Sequence, residues 1–146
     1  MKNKKAYLQW EENINNKIAR RESEPFAVVV CDINGLKRVN DSQGHREGDA
    51  YICRVCTSIC NIFAHSPVFR YGGDEFAVIL SGQDFDHRSS LMEIATATLD
   101  EDEDSEGSTF AAGISEFRSG EDESLQDVFE RADREMYENK RDMKRK

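Results

Sequence analysis

Apolar and polar positions change period several times along this chain. Tyr7, Trp10, Ile14 and Ile18 recur at helical spacing among polar residues, which predicts an amphipathic helix over about Asn3 to Arg21. Pro25 closes the link that follows. Phe26 to Ile33 is β-branched and apolar on both faces, as a strand in the middle of a sheet requires. Asn34-Gly35 turns the chain, and a short helix follows near Lys37 to Ser42. After Gly44 a second long helix is predicted from Arg46 to Phe63, with Ile52, Val55, Cys56, Ile59 and Phe63 as its stripe. Val68 to Tyr71 and Glu75 to Leu80 are two strands joined across Gly72-Gly73-Asp74, where the glycines are expected to supply the positive φ of a tight hairpin. Leu91, Ile94, Ala95, Thr98 and Leu99 mark a third helix. Thr109 to Ser115 is a further strand with Gly113 inside it. Ser124-Leu-Gln-Asp127 has the form of a capping box. It opens a closing helix along Leu125, Val128, Phe129, Ala132 and Met136. The order α-β-α-α-β-β-α-β-α predicts an α/β sandwich of the α+β type: a mixed, mostly antiparallel central sheet covered by helices.

Composition narrows the function classes. With 146 residues and 38% apolar content the chain fills one core, so residues 1–146 are expected to form a single domain. The longest apolar run, Phe26 to Cys31, is far too short to span a membrane, and no signal-peptide pattern opens the chain. Four cysteines without an export signal point to reduced thiols and a cytoplasmic location. The net charge of −9 argues against non-specific nucleic-acid binding. Asp100 to Glu106 holds six carboxylates, which leaves −3 for the rest; this stretch is expected to be a solvated loop. The basic Lys140 to Lys146 tail suits the C-terminal end of a helix dipole. Cys53, Cys56 and Cys60 share the apolar stripe of the second long helix with Ile52 and Ile59 and are expected to pack in the core, since no histidine or fourth nearby cysteine completes a metal set.

Two acidic residues stand out by position. Asp32 ends the buried strand and Asp74 sits at the hairpin tip. A lone aspartate in a turn more often caps that turn. If the two strands pair, however, both carboxylates meet at one edge of the sheet. Hard oxygen ligands converging there suit Mg²⁺, with phosphate oxygens completing the octahedron. The Asn34, Gly35, Leu36, Lys37 turn offers successive backbone N–H groups as a phosphate nest.

Arg70-Tyr-Gly-Gly-Asp-Glu-Phe76 resembles the signature of the GGDEF domain, the catalytic domain of diguanylate cyclases. Asp32-Ile-Asn-Gly-Leu-Lys-Arg-Val-Asn-Asp41 and Gly44-His-Arg-Glu-Gly-Asp49 resemble the family's two upstream motifs. Ala132-Asp133, Met136-Tyr137 and Lys140 resemble its C-terminal motif. The resemblance implies a fold like the palm of polymerases and class III nucleotide cyclases. It implies condensation of two GTP molecules into cyclic di-GMP, with loss of pyrophosphate, at a site shared by two subunits of a homodimer. It also implies two Mg²⁺ (or Mn²⁺) ions per site, held by Asp32, Asp74 and the main-chain carbonyl of Ile33. Glu75 would assist in removing the 3′-hydroxyl proton. Lys37, Lys140 and Lys144 would meet phosphates, and Asn40 and Asp49 would read guanine. A carboxylate suits the N1–H and N2–H₂ donors of that base, and a carboxamide suits its mixed edge. Read alone, Asn40 is a helix-ending residue and Asp49 an N-terminal helix charge.

The sequence departs from the family in three places. The usual opening D-x-L-T-G-L-x-N-R stretch is represented only by Asn3-Lys4-Lys5, and an upstream sensor region is expected in a full-length protein. Where the family commonly carries Gly and Arg, this chain has Met143 and Lys144, and an ammonium cannot reproduce the two-pronged contact of a guanidinium. The inhibitory R-x-x-D site of many members is replaced by Phe63-Ala-His-Ser66.

Overall fold

The computed structural model describes residues 1–102 and 110–144. Thr109, the acidic residues beyond Asp102, Arg145 and Lys146 lie outside the described residues. The elements run α1 (Lys4–Ala19), β1 (Phe26–Ile33), α2 (Leu36–Gln43), α3 (His45–Ile62), β2 (Val68–Arg70), β3 (Glu75–Ser81), α4 (Gly82–Asp86), α5 (Arg88–Asp102), β4 (Phe110–Glu116) and α6 (Leu125–Lys144). Every predicted element is present. The short α4 is an addition, and α5 carries on as helix through Asp100–Asp102, where a loop was expected. No described helix is long and apolar enough to cross a membrane.

The sheet has the order β2-β3-β1-β4, and all three strand pairings are antiparallel. Among the described residues, a parallel contact is made by the bridge between Lys2 and Phe69 on the outer edge of β2. The apolar character of β1 on both faces has the expected cause: the strand is central and helices cover each side. Ala27, Val29, Cys31 and Ile33 face α3 and α5, in one cluster with Tyr51, Val55, Ile59 and Ala95. Phe26, Val28 and Val30 face α1 and α6, in a second cluster with Tyr7, Leu125, Val128, Ala132 and Met136. The α1 stripe is shallower than its spacing suggests. Tyr7 alone is buried there, with edge-on rings of Phe69 and Tyr71 about it, whereas Trp10 remains exposed.

Helix α6 begins differently from a capping box. Asp127 accepts from the N–H of Glu123, and Asn15 of α1 accepts from Leu125 N–H at 2.8 Å. The helix then crosses β4 in unusually close contact. A Cβ built on Gly113 would lie 2.3 Å from both the Ala132 carbonyl oxygen and the Met136 nitrogen. These are backbone atoms, which cannot rotate away. Gly113→Ala should therefore force α6 off the sheet and cost about 2 kcal/mol or more, the upper part of the range for overpacked sites. Urea denaturation of the two proteins checks this, and a loss below about 0.5 kcal/mol would refute the close approach.

Candidate active site

Alternation along two paired strands delivers the acidic residues to one place. On β1, Asp32 shares the parity of Val28 and Val30, so its side chain points to the α6 face. On β3, Glu75 shares the parity of Ala77 and Ile79 and points the same way. The antiparallel register sets Asp32 directly opposite Glu75. One rung further, the Ile33 N–H donates to the Asp74 carbonyl at 2.9 Å. Asp32, Ile33, Asp74 and Glu75 are thus gathered at one end of the β1–β3 pair.

Helix α6 closes this cluster from above. Lys140 Nζ lies 2.8 Å from Asp32 Oδ2, and both side chains are largely covered, with 21% and 17% exposure. The other oxygen, Asp32 Oδ1, is buried without a hydrogen-bond partner. Burial pushes the Asp32 carboxyl above its usual range; Lys140 pulls it back and Asp74 adds to the rise. Glu75 is also raised, first by burial and then by the charges of Asp133, Asp32 and Asp74, with a hydrogen bond to Asp133 contributing. Asp133, about two turns before Lys140 on α6, carried no assigned role in the sequence. Four carboxyl groups therefore crowd a partly desolvated site in which Lys140 is bonded to one of them, Asp32.

That imbalance bears on whether a metal fits. An orphaned carboxylate oxygen, surplus negative charge and hard oxygen donors are the chemistry that suits Mg²⁺ or Mn²⁺. Among the described residues no three His, Cys, Asp or Glu side chains form a ready-made cage. A partial shell is what Mg²⁺ ordinarily uses, with one or two carboxylates, water and substrate phosphates.

The loop carrying Asp74 is built differently from the expected hairpin. Neither Gly72 nor Gly73 has positive φ. The turn is wider, with the N–H groups of Tyr71 and Gly72 both directed at the Glu75 carbonyl. Arg70 fastens it: its Nε donates to the Gly72 carbonyl at 3.3 Å and its Nη2 to the Gly73 carbonyl at 2.8 Å. A Cβ on Gly73 would meet nothing within 4 Å, so the loop backbone is open to a ligand. Arg70 entered the sequence reading only as the first residue of the Arg70–Phe76 signature; its closure of the loop is a tertiary contact that spacing does not announce.

A second group of predicted residues lies on the α2–α3 pair. Helix α2 starts at Leu36 on Gly35, in the left-handed region at φ 71°, and no side chain caps it. Leu36 and Lys37, the residues of the expected phosphate nest, form the first turn of α2. The Tyr51 hydroxyl of α3 donates to the Asn34 carbonyl at 2.6 Å and fixes the turn from behind, a role the sequence did not signal. Asn40 lies against Gly48: a Cβ there would stand 1.6 Å from Asn40 Oδ1. Asp49 follows, exposed, just past the first turn of α3. Lys37 is exposed. The side chains of Met143 and Lys144 lie outside the described ones. A cavity of about 780 Å³ lies elsewhere, along β4 between α5 and α6, and includes none of these residues.

Comparison with known proteins bears on family and fold. The family model for the diguanylate cyclase GGDEF domain matches residues 3–146. The chain belongs to the GGDEF domain family. Diguanylate cyclase DosC of Escherichia coli (strain K12) is 38% identical over 64 residues, covering 43% of this chain and 14% of that protein. A diguanylate cyclase of Vibrio cholerae serotype O1 is 28% identical over 127 residues, covering 84% of this chain and 39% of that protein. This GGDEF domain thus spans well under half the length of these curated relatives. Among solved structures, the GGDEF domain of DgcB from Caulobacter crescentus, in complex with c-di-GMP, matches with TM-score 0.75 and 30% identity, covering 95% of this chain and 85% of that one. The active GGEEF domain of a diguanylate cyclase from Vibrio cholerae matches with TM-score 0.77 and 25% identity, covering 97% and 91%. The palm-like cyclase fold expected from the sequence is therefore the fold observed.

The raised Glu75 carboxyl has a consequence for stability. The folded chain binds that proton more tightly than the unfolded chain does. Its contribution is fully present below the unfolded pKa and is lost as pH rises through the higher folded value. Glutamine cannot ionise, and its amide can still donate to Asp133. Glu75→Gln should therefore melt at a higher temperature than the parent at pH 7, with the gain vanishing near pH 4. Thermal melts at the two pH values measure this, and a lower melting temperature at pH 7 would contradict the charge crowding.

Proposed function

We propose that this GGDEF domain condenses two GTP molecules into cyclic di-GMP and releases two molecules of pyrophosphate. The observation that carries the reading is the surplus of carboxyl groups gathered by the β1–β3 register under a single lysine. Such a site calls for cations, and a polyphosphate brought with a metal supplies them in balance.

In this reading Asp32, Asp74 and the Ile33 carbonyl hold Mg²⁺ or Mn²⁺, two ions per site. The metal, when bound, lowers the pKa of the ribose 3′-hydroxyl and neutralises phosphate charge. Glu75, with its affinity for a proton already raised, accepts the hydroxyl proton. The uncapped α2 N-terminus cradles the phosphates, and Lys37, Lys140 and Lys144 face them as cations. Lys140 exchanges Asp32 for the phosphate as its partner. Arg70 holds the Asp74 loop in place through the two glycine carbonyls. Each 3′-oxygen bonds to the α-phosphorus of the GTP on a partner subunit, the bond to the β-phosphate breaks, and pyrophosphate leaves. Two copies of the domain, face to face, complete both bonds. Asn40 and Asp49 select guanine.

Product feedback through the usual R-x-x-D surface is not part of this proposal. Phe63 is buried in the core, and the Ser66 hydroxyl donates to Asp84. The curated relatives are longer, and an upstream sensor region fits that difference. A second reading, a GTP-binding regulatory module without turnover, draws on Met143 and Lys144 at the phosphate end.

Concentrated protein with GTP and Mg²⁺ should yield cyclic di-GMP by mass spectrometry; GTP binding without product would favour the regulatory module. Asp74→Asn should lower turnover at least about 100-fold while the circular dichroism stays unchanged, since phosphate charge then goes uncompensated. Near-normal activity in that variant would sink the mechanism.

Assembly and base choice can be tested in one series. Net charge of −9 opposes self-association, so specific activity should rise with protein concentration. ATP should be a poor substrate, because adenine offers no N1–H and N2–H₂ pair to a carboxylate. Asp49→Ser should relax that preference while lowering use of GTP. Flat specific activity would defeat the shared site, and equal use of ATP would defeat the assigned role of Asp49.

A further inference from the structure

The cysteines of α3 do not behave as the expected core residues. Cys53 is exposed, and Cys56 and Cys60 are only half-buried at the margin of the α3-side cluster. Their spacing of four residues stacks the last two on one helix face, with the sulfurs 3.9 Å apart. A third sulfur joins them from far away in sequence: Met1 Sδ lies 3.1 Å from Cys56 Sγ. This approach has a structural cause. Lys2 donates its N–H to the Val68 carbonyl at 2.8 Å, and its own carbonyl accepts from Arg70 N–H at 2.8 Å. The first residues thus lie as a short parallel extension on the outer edge of β2 and deliver Met1 to α3.

We propose that Cys56, Cys60 and Met1 form a binding site for a soft monovalent metal ion, Cu(I). Thiolate and thioether ligands select soft metals, Cu(I), zinc and iron–sulfur clusters, and a set of two thiolates and one thioether suits Cu(I). Sulfur ligands about 2.3 Å from a metal in trigonal geometry stand about 4 Å from one another, close to the separation of the two thiols. The third ligand sits on a flexible thioether with three rotatable bonds and adjusts at little cost. Zn²⁺ is disfavoured, because a structural zinc site needs four ligands. Without metal, burial and the neighbouring Cys60 push the Cys56 thiol up to about 11. Thiols that bind metal do so as thiolates, so binding releases protons to solvent. Met1 is 60% exposed, so an ion has a direct path in. The site lies away from the carboxyl cluster and does not depend on the cyclase reading.

The test is an anaerobic titration of the reduced protein with Cu(I) against a chromogenic Cu(I) chelator. One ion per chain should be withdrawn from the chelator, with a thiolate-to-copper absorption appearing in the ultraviolet. X-ray absorption should give three sulfur neighbours. The double variant Cys56→Ser, Cys60→Ser should lose at least about 100-fold in affinity, as expected when ligands are removed. Cys53→Ser should keep affinity within a few fold. If the double variant does not fold, the single variants Cys56→Ala and Cys60→Ala carry the test, and each should bind Cu(I) more weakly than the parent. Failure to compete with the chelator, or equal affinity in the Cys56 and Cys60 variants and the parent, would overturn the proposal. A first shell of two sulfurs would overturn the place given to Met1.

Discussion

The close approach of α6 to the sheet is the contact on which the site depends. A helix that brings backbone atoms within 2.3 Å of where a Cβ would stand needs glycine beneath it, and Gly113 supplies it. The same helix that buries Ala132 and Met136 over β1 and β4 carries Asp133 and Lys140, a turn to either side of Met136. If α6 rode higher, Lys140 would not reach Asp32, and Asp133 would not crowd Glu75. Packing against a small residue in one strand therefore determines the electrostatics at the end of another.

Those electrostatics are unfavourable for the free domain and useful for its chemistry. Four carboxyl groups share a partly dry site with one ammonium, and two of them bind protons more tightly than usual. This is a local conflict of the kind that natural folds tolerate at functional sites and compensate elsewhere. The compensation is visible in β1, whose Phe26–Cys31 segment is fully buried and paired on both sides. A stiff central strand holds Asp32 in place against its own desolvation.

Much of this was legible in the residues. The uninterrupted apolar run predicted a central strand because only a strand covered on both faces can bury every side chain. Helical periodicity placed α1, α3, α5 and α6 to within a few residues. Gly-Gly-Asp-Glu after an Arg-Tyr pair, with Asp32 upstream, located the carboxyl cluster. What escaped was tertiary in origin. The Gly72-Gly73 turn has ordinary backbone angles because Arg70 closes it, and no local rule anticipates a side chain that substitutes for turn geometry. Asp133 gained a role only once α6 was laid across the sheet. Cys53 was assigned to the core because periodicity marks a stripe but not its width, and that residue falls just beyond the edge.

The Lys140–Asp32 pair also bears on how such a site is filled. An ammonium on a largely covered carboxylate offsets its desolvation, and removing it alone would leave a buried, unpaired charge, which is strongly unfavourable. A cation entering at the unpartnered Oδ1 would weaken the hold of Asp32 on Lys140 at Oδ2 and leave that ammonium open to a second anionic partner. In the proposed reading, a polyphosphate carrying its own divalent ion would serve both groups in one event, the ion at the carboxylate and the phosphate at the lysine. A bare divalent ion would serve only the carboxylate. In the proposed reading, the position of one lysine beside Asp32 would couple the two halves of a nucleotide–metal ligand, because the ion and the phosphate would meet neighbouring groups of one pair.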